Sequence, residues 1–248
     1  MKITIITVVY NGGDFLENCI RSVISQTYSN IEYIIIDGAS TDASLSIIEK
    51  YNDRISIVVS EPDLGIYDAM NKGIALAGGD VIGTLNSDDF FADDTVIAGV
   101  AAAFNDSGVD AAYGDLCYVS RQDPQRIIRN WVSKPYSRKA MAWGWMPAHP
   151  TFYVRSDVYR AHGNYDLKYK SAADYELMLR FLYLNKSKSV YLPRVLVMMR
   201  TGGVSNSSAY NRLQAASYDL RAMRNNGIKW PWLKILFKPL RKINQFLN

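Results

Sequence analysis

Short apolar runs alternate with amphipathic stretches along the first part of the chain. Residues 3–9, 31–36, 55–59 and 81–85 are brief and rich in Ile and Val, the pattern of strands buried on both faces. Between them the spacing is helical. In residues 13–26 the apolar positions are Phe15, Leu16, Cys19, Ile20, Val23 and Ile24, which form one broad stripe on a helix. Thr41 or Asp42 can cap a second helix that runs to about Tyr51. Residues 66–77 read as a third helix, stopped by Gly78-Gly79. Repeated strand–helix units of this length predict an α/β fold with a doubly wound, mostly parallel sheet.

The pattern beyond is less regular. Residues 111–118, 127–132 and 189–199 read as strands, 156–161 as a short helix and 172–184 as a longer one. Residues 138–150 are aromatic and Met-rich without a period and read as a loop. From Trp232 the residues Leu233, Leu236, Phe237, Leu240, Ile243, Phe246 and Leu247 return to helical spacing, with Pro239 expected to kink or split the helix. Three stretches follow from this: 1–115, 116–205 and a tail, 206–248.

Composition adds little until charge is mapped along the chain. With 248 residues, 48% hydrophobic and 21% charged, this is one large domain or two tightly joined halves, without a disorder signature. A net charge of +4 does not call for nucleic acid. After Asp219, however, there is no acidic residue, while Arg221, Arg224, Lys229, Lys234, Lys238, Arg241 and Lys242 follow. A basic, amphipathic tail suits an anionic membrane surface, or else packing on the domain or on a second copy. Cys19 and Cys117 form neither a metal spacing nor a disulfide framework, which fits small buried thiols in a reduced compartment. The apolar run 3–10 is too short for a secretory signal and no stretch is long enough to span a bilayer. The expectation is a cytoplasmic body, peripheral on the inner face of the cytoplasmic membrane.

The chemistry concentrates where strands end. The fourth strand runs into Asn86-Ser87-Asp88-Asp89, at the edge where an open α/β sheet places its ligands. Adjacent carboxylates repel, and a divalent cation, Mg²⁺ or Mn²⁺, relieves the repulsion and would hold a diphosphate. The plain alternative is a solvated acidic turn, since Asp93 and Asp94 follow. Asp37 ends the second strand before Gly38, so its carboxylate can accept a ring N–H of uracil or thymine. Asp63 is the counterpart after the third strand, although Asp-Leu-Gly is also good turn chemistry. Asp68 and Lys72 are four apart on one helix face, a solvated ion pair or, for Lys72, a contact to a pyrophosphate. Asp174 stands near a helix start, where the macrodipole favours an acid and where a general base could also sit. His149, beside Pro150, is a packed loop residue or an acceptor-side or metal-adjacent group. Trp143, Trp145 and Tyr153 can stack on sugars or simply bury area. The segment Arg200-Thr201-Gly202-Gly203-Val204-Ser205 reads as a strap whose glycines permit closure. No G-x-G-x-x-G follows the first strand, which argues against a dinucleotide dehydrogenase.

Four segments in order carry a family resemblance: Thr7-Val8-Val9-Tyr10-Asn11, Ile36-Asp37-Gly38-Ala39-Ser40-Thr41-Asp42, Asn86-Ser87-Asp88-Asp89 and Ala173-Asp174-Tyr175-Glu176. From about Lys2 to about Ser205 the chain resembles the inverting, nucleotide-sugar-dependent glycosyltransferases of family 2, with the GT-A fold. The stretch 60–74 looks like the subgroup that assembles bacterial surface polysaccharides such as O-antigen, capsule or exopolysaccharide. The resemblance implies a nucleotide half, an acceptor half and the tail. It assigns Asp37 to the base, with Thr7, Val9 and Tyr10 lining the same pocket and Asp63 nearby. It puts Asn86, Ser87 and Asp88 at the family's Asp-x-Asp positions, Asn86 on the ribose, Asp88 on Mn²⁺ or Mg²⁺, and Asp89 second, on the metal or on the donor sugar. Asp174 becomes the base, Glu176 its fallback, and Trp145 and His149 acceptor-side residues. The implied partners are a UDP- or dTDP-sugar donor and a polyprenyl-diphosphate-linked glycan acceptor. The chain departs from the pattern at Asn86, at Ala173, and at Met70, where many relatives carry arginine. Those departures keep open a non-catalytic, nucleotide-sugar-binding relative. A sugar-nucleotide nucleotidyltransferase is the other alternative, but Asn11-Gly12-Gly13-Asp14 lacks the cations of a triphosphate loop.

Overall fold

The computed structural model describes residues 1–202 and 209–237. The expected alternation is present: β1 (Ile3–Val9), α1 (Gly13–Ile24), β2 (Ile31–Asp37), α2 (Ser44–Lys50), β3 (Ile57–Ser60), α3 (Ile66–Leu76) and β4 (Val81–Asn86). There follow β5 (Phe90–Phe91), α4 (Val96–Ala103), β6 (Ala111–Val119), β7 (Ile127–Trp131), α5 (Arg138–Ala142), β8 (Tyr153–Arg155), α6 (Ser156–His162), α7 (Ala173–Met178), β9 (Ser189–Arg200), α8 (Ala209–Asn225) and α9 (Pro231–Phe237).

Among the described residues the nine strands form one sheet of order β3-β2-β1-β4-β8-β6-β9-β5, with β7 paired to β6. β1 lies parallel between β2 and β4, with Val9 opposite Asp37 and Val8 opposite Asn86. β8 is antiparallel to both β4 and β6, and β9 is parallel to β6. It follows that β1, β2, β3, β4, β6 and β9 all end at one edge of the sheet, and that β8 begins there. Strand order reverses between β1 and β4, the switch point where such sheets leave a crevice.

The apolar runs are apolar throughout because both faces are covered. On one face Ile3, Ile5 and Ile35 pack with Leu16, Cys19, Ile20 and Val23 of α1 and with Val96, Ile97 and Val100 of α4. On the other, Ile6, Val8, Ile34 and Ile36 pack with Ala69, Met70 and Ile74 of α3 and with α7 and α8 residues. Gly73 lets α3 lie close to the sheet, since a Cβ there would come within 2.4 Å of Ile6.

Several details differ from the expectation. The stretch 138–150 is not loop throughout: Ser137 caps α5 by accepting from Ala140 N, and His149–Thr151 forms a 3-10 turn. A five-residue helix is too short to show a period. α4 is apolar on every side and was not visible as an amphipathic stripe. β5 and β8, two and three residues long, have no alternation to read. The helix expected over 172–184 comprises α7 followed by a π-helical turn, Leu179–Leu184. The 115/116 division falls inside β6, and the sheet is continuous across it. α8 packs back on the body: Asn225 Nδ2 donates to Tyr169 OH at 2.7 Å, and the Arg221 guanidinium lies over the Tyr169 ring at 5.5 Å. Lys238, Pro239, Leu240, Arg241, Lys242, Ile243, Phe246 and Leu247 of the tail lie outside the described residues, as do Gly203, Val204 and Ser205 of the strap. No helix among the described residues is long and apolar enough to cross a membrane.

Candidate active site

At the tip of β2, Asp37 is fully buried. Its Oδ2 accepts from the Ser40 backbone N–H at 3.0 Å and the Ser60 hydroxyl at 2.7 Å. Its Oδ1 is buried and has no hydrogen-bond partner among the described residues. A bare buried carboxylate oxygen is costly, which makes Asp37 Oδ1 a candidate acceptor for a ligand N–H. Gly38 makes room: a Cβ there would come within 2.5 Å of Asp63 Oδ2. Asp63 therefore stands beside Asp37 while its Oδ1 accepts from Gly65 N at 2.7 Å, and it serves the turn as well as the cleft. Tyr10, 67% exposed, flanks the same spot. Asn11 fixes this rim, donating its N–H to Ser40 Oγ at 2.8 Å and accepting from Thr41 N at 2.9 Å.

Other expected pocket residues point elsewhere. Thr7 is buried, accepts from Tyr33 OH at 3.1 Å and lies 3.7 Å from Cys19 Sγ, so its side chain serves the core. Val9 packs in the core beside it. Lys72 is held by Glu61 at 2.8 Å and by the Pro62 carbonyl at 2.8 Å, with Asp68 farther at 3.9 Å. The hydrogen bond to Glu61, and then the charges of Glu61 and Asp68, raise its pKa. It anchors the β3–α3 loop.

At the tip of β4 the adjacent acids separate. Asp89 is fully buried, its Oδ1 accepting from Arg200 N at 3.1 Å and its Oδ2 from Asn86 Nδ2 at 3.1 Å. Burial, and then the charge of Asp88, push its pKa up. Asp88 keeps one-third of its side chain exposed; its Oδ2 lies 3.6 Å from Arg121 Nη1. Asn86 Oδ1 is buried and without a partner among the described residues. Ser87 sits across the switch point from the β1–α1 turn, where a Cβ on Gly12 would come within 3.0 Å of its Oγ.

Two arginines not singled out for this place by the sequence converge here. Arg200, 5% exposed, donates to the Asp88 carbonyl at 2.6 Å and to Asn18 Oδ1 at 2.9 Å, between the rings of Phe15 and Phe90. Arg121, just past β6, stacks on Phe15 at 4.3 Å. A charge closing the long apolar run of β9 was a usable signal for Arg200; Arg121 lies in a polar stretch that gives none.

The third acid comes from the helical side. Asp174, in the first turn of α7, accepts from Tyr175 N at 2.7 Å through Oδ1, and its Oδ2 lies 3.4 Å from His149 Nδ1. Tyr67, at the start of α3, lies near Asp174; burial first and then the charge of Asp174 raise the phenol's pKa. His149 is held at the sheet edge by buried Thr151, whose hydroxyl accepts from Gly114 N at 3.2 Å and lies 2.8 Å from the Ala148 carbonyl. Tyr118 on β6 links the two regions. Burial raises its pKa, and the charges of both Asp89 and Asp174 add to that. The fallback base is corrected: Glu176 is buried, 2.9 Å from Arg180 and 3.3 Å from Asn226 Nδ2, and holds the helices together. Trp145 meets the Tyr113 ring edge-on at 6.2 Å and remains partly open on the α5 side.

Among the described residues no three His, Cys, Asp or Glu side chains cluster into a metal cage. The donor set still fits a divalent cation held jointly with a diphosphate. Asp88 offers an accessible hard oxygen, and Mg²⁺-type ions commonly take few protein ligands beside phosphate.

The sequence model described as Glycosyl transferase family 2 matches residues 4–156. An uncharacterized glycosyltransferase of Mycobacterium tuberculosis is 32% identical over 233 residues, 93% of this chain and 86% of that protein. A PGL/p-HBAD biosynthesis glycosyltransferase of Mycobacterium bovis is 27% identical over 216 residues, 82% of this chain and 79% of the relative. Among solved structures, S. aureus TarS 1-349 in complex with UDP superposes with a TM-score of 0.73 at 18% identity, over 98% of this chain and 71% of that one. The mannosyltransferase PcManGT from Pyrobaculum calidifontis, in complex with GDP-Man and Mn²⁺, gives 0.67 at 17% identity, over 99% and 69%. Motif order, a GT-A sheet with its acids at one edge, and these matches agree: the chain belongs to glycosyl transferase family 2.

Proposed function

We propose that this glycosyltransferase moves a sugar from a UDP- or dTDP-sugar to a hydroxyl of a lipid-linked glycan in surface polysaccharide or glycolipid synthesis, with inversion and with Mn²⁺ or Mg²⁺. The observation that carries the donor reading is the bare, buried Asp37 Oδ1 on the sheet edge that also bears Asp88. A ring N–H of uracil or thymine satisfies it, Tyr10 and Asp63 flank the base, and Asn86 Oδ1 and Ser87 face the ribose side. Complexes of TarS with UDP and with UDP-GlcNAc support a uridine donor, and the Mn²⁺ in PcManGT supports a metal held through Asp88.

The chemistry asked of the residues is a single in-line displacement. Asp174 takes the proton of the acceptor hydroxyl as that oxygen bonds to the anomeric carbon, and the bond from that carbon to the diphosphate oxygen breaks. A bound divalent cation would neutralise the departing diphosphate. His149 holds the Asp174 carboxylate in place, and Trp145 offers a ring to the acceptor.

A thermal-shift screen tests the donor reading. UDP and dTDP should raise Tm more than CDP, whose ring lacks that N–H, and Mn²⁺ should enlarge the shift. A larger shift with CDP or GDP would remove the base assignment.

Membrane contact through the tail belongs to the same reading. Trp230 and Trp232 are exposed beside Lys229 and Lys234 at the start of the tail. Deleting residues 234–248 should release the protein from anionic vesicles in a co-sedimentation assay; undiminished binding would refute the contact.

A further inference from the structure

The two carboxylates at the β4 tip already face two guanidinium groups, and these differ in what they are free to do. Arg200 is sealed between Phe15 and Phe90, with Nη1 on the Asp88 carbonyl and Nη2 on Asn18. It is a fixture of the fold, and its backbone N–H bonds the buried Asp89. Arg121 is 44% exposed and lies flat on Phe15. Its charged partner, Asp88, is 3.6 Å away, which is an ion pair too long for a hydrogen bond. Among the described residues no hydrogen bond occupies its five N–H donors.

We propose that Arg121 is a diphosphate-binding residue: it rests on Asp88 in the donor-free protein and turns to the donor's phosphates when Asp88 engages the cation. The inference rests on the nucleotide-sugar reading of the same edge. A planar guanidinium suits bidentate phosphate contact, and stacking on Phe15 pre-orients it. Lys72 is committed to Glu61 and the Pro62 carbonyl, and Arg200 is buried with Nη1 and Nη2 bonded. Position 70, on the helix α3 behind this edge, holds buried Met70 and supplies no cation. Arg121 is attached at the right place. β6 ends at the same edge as β4, Thr201 N bonds to the Val119 carbonyl at 3.0 Å, and Gly202 lies against the Arg121 side chain. The start of the strap, Arg121 and Asp88 thus form one contiguous group above the switch point.

The test compares UDP with uridine, which shares the base and ribose but lacks the phosphates. Binding is measured by NMR titration with EDTA and again with Mn²⁺. With Mn²⁺ the wild-type protein should prefer UDP, and Arg121→Ala should shrink that preference about tenfold or more while uridine binding stays unchanged; in EDTA, where Asp88 still holds Arg121, the same substitution should cost less. Arg121→Lys should recover part of it. Asp88→Asn supplies a readout that a structural role would not move: without its resting partner Arg121 is released, so UDP should bind more tightly than to wild type in EDTA. An unchanged UDP-to-uridine ratio in Arg121→Ala with Mn²⁺, or weaker EDTA binding in Asp88→Asn, overturns the proposal. Failure of wild type to bind uridine or UDP at all would instead overturn the nucleotide reading on which it stands.

Discussion

Asp174→Asn should bind the donor like the wild type and lose transfer by about 10²–10⁴-fold, the range of a general base. The substitution keeps size and one oxygen, so the contacts to Tyr175 N and the His149 side survive in outline. What is lost is a group able to take a proton. No neighbouring acid replaces it, because Glu176 is buried against Arg180 and Asn226. Single-turnover transfer and UDP binding, measured on the same preparation, separate the two effects. Wild-type turnover in Asp174→Asn would defeat the assignment of the base.

The second large effect separates neighbours in sequence. Asp88→Ala should abolish the gain in donor affinity produced by Mn²⁺, at least about 10–100-fold, since even outer partners of a metal site have that influence. Its fold should be little changed, because the carboxylate is partly solvated and it is the Asp88 carbonyl that Arg200 uses. Asp89→Ala should do the reverse in kind. It strands the Arg200 N–H and the Asn86 amide and leaves the Arg200 charge buried, so the readout is a lowered Tm, with about 1–3 kcal/mol for each unsatisfied group. Equal, purely functional losses in both variants, with Tm unchanged, would contradict the division of labour at the β4 tip.

Much of this site was legible in the chain because it is carried by strand ends. A parallel strand buried on both faces announces itself as an apolar run, and the first polar residues after it must stand at the ligand edge. That reasoning places Asp37, Asp63 and Asp88 correctly at one edge without any contact information. It fails inside the strand, where Thr7 looks polar and available but is used by Tyr33 and Cys19. It also cannot tell Asp88 from Asp89, because their difference is which way each side chain turns at the β4 tip. The Asp174 side was visible only as a motif. What brings His149 to Asp174 is the three-residue β8 and the Thr151–Gly114 bonds, both contacts across distant sequence. Arg121 illustrates the limit: its role is defined by Phe15 and Asp88, far from it in sequence, and its own neighbours Ser120 and Gln122 read as an ordinary polar turn.

The most direct measurement of the whole account is a crystal structure with UDP and Mn²⁺. The account predicts the uracil N–H on Asp37 Oδ1, the cation between Asp88 and the diphosphate, and Asp174 across an open gap wide enough for a hexose. A nucleotide seated away from the β1–β4 crevice, or a diphosphate on the side of the sheet turned from Asp174, would contradict it.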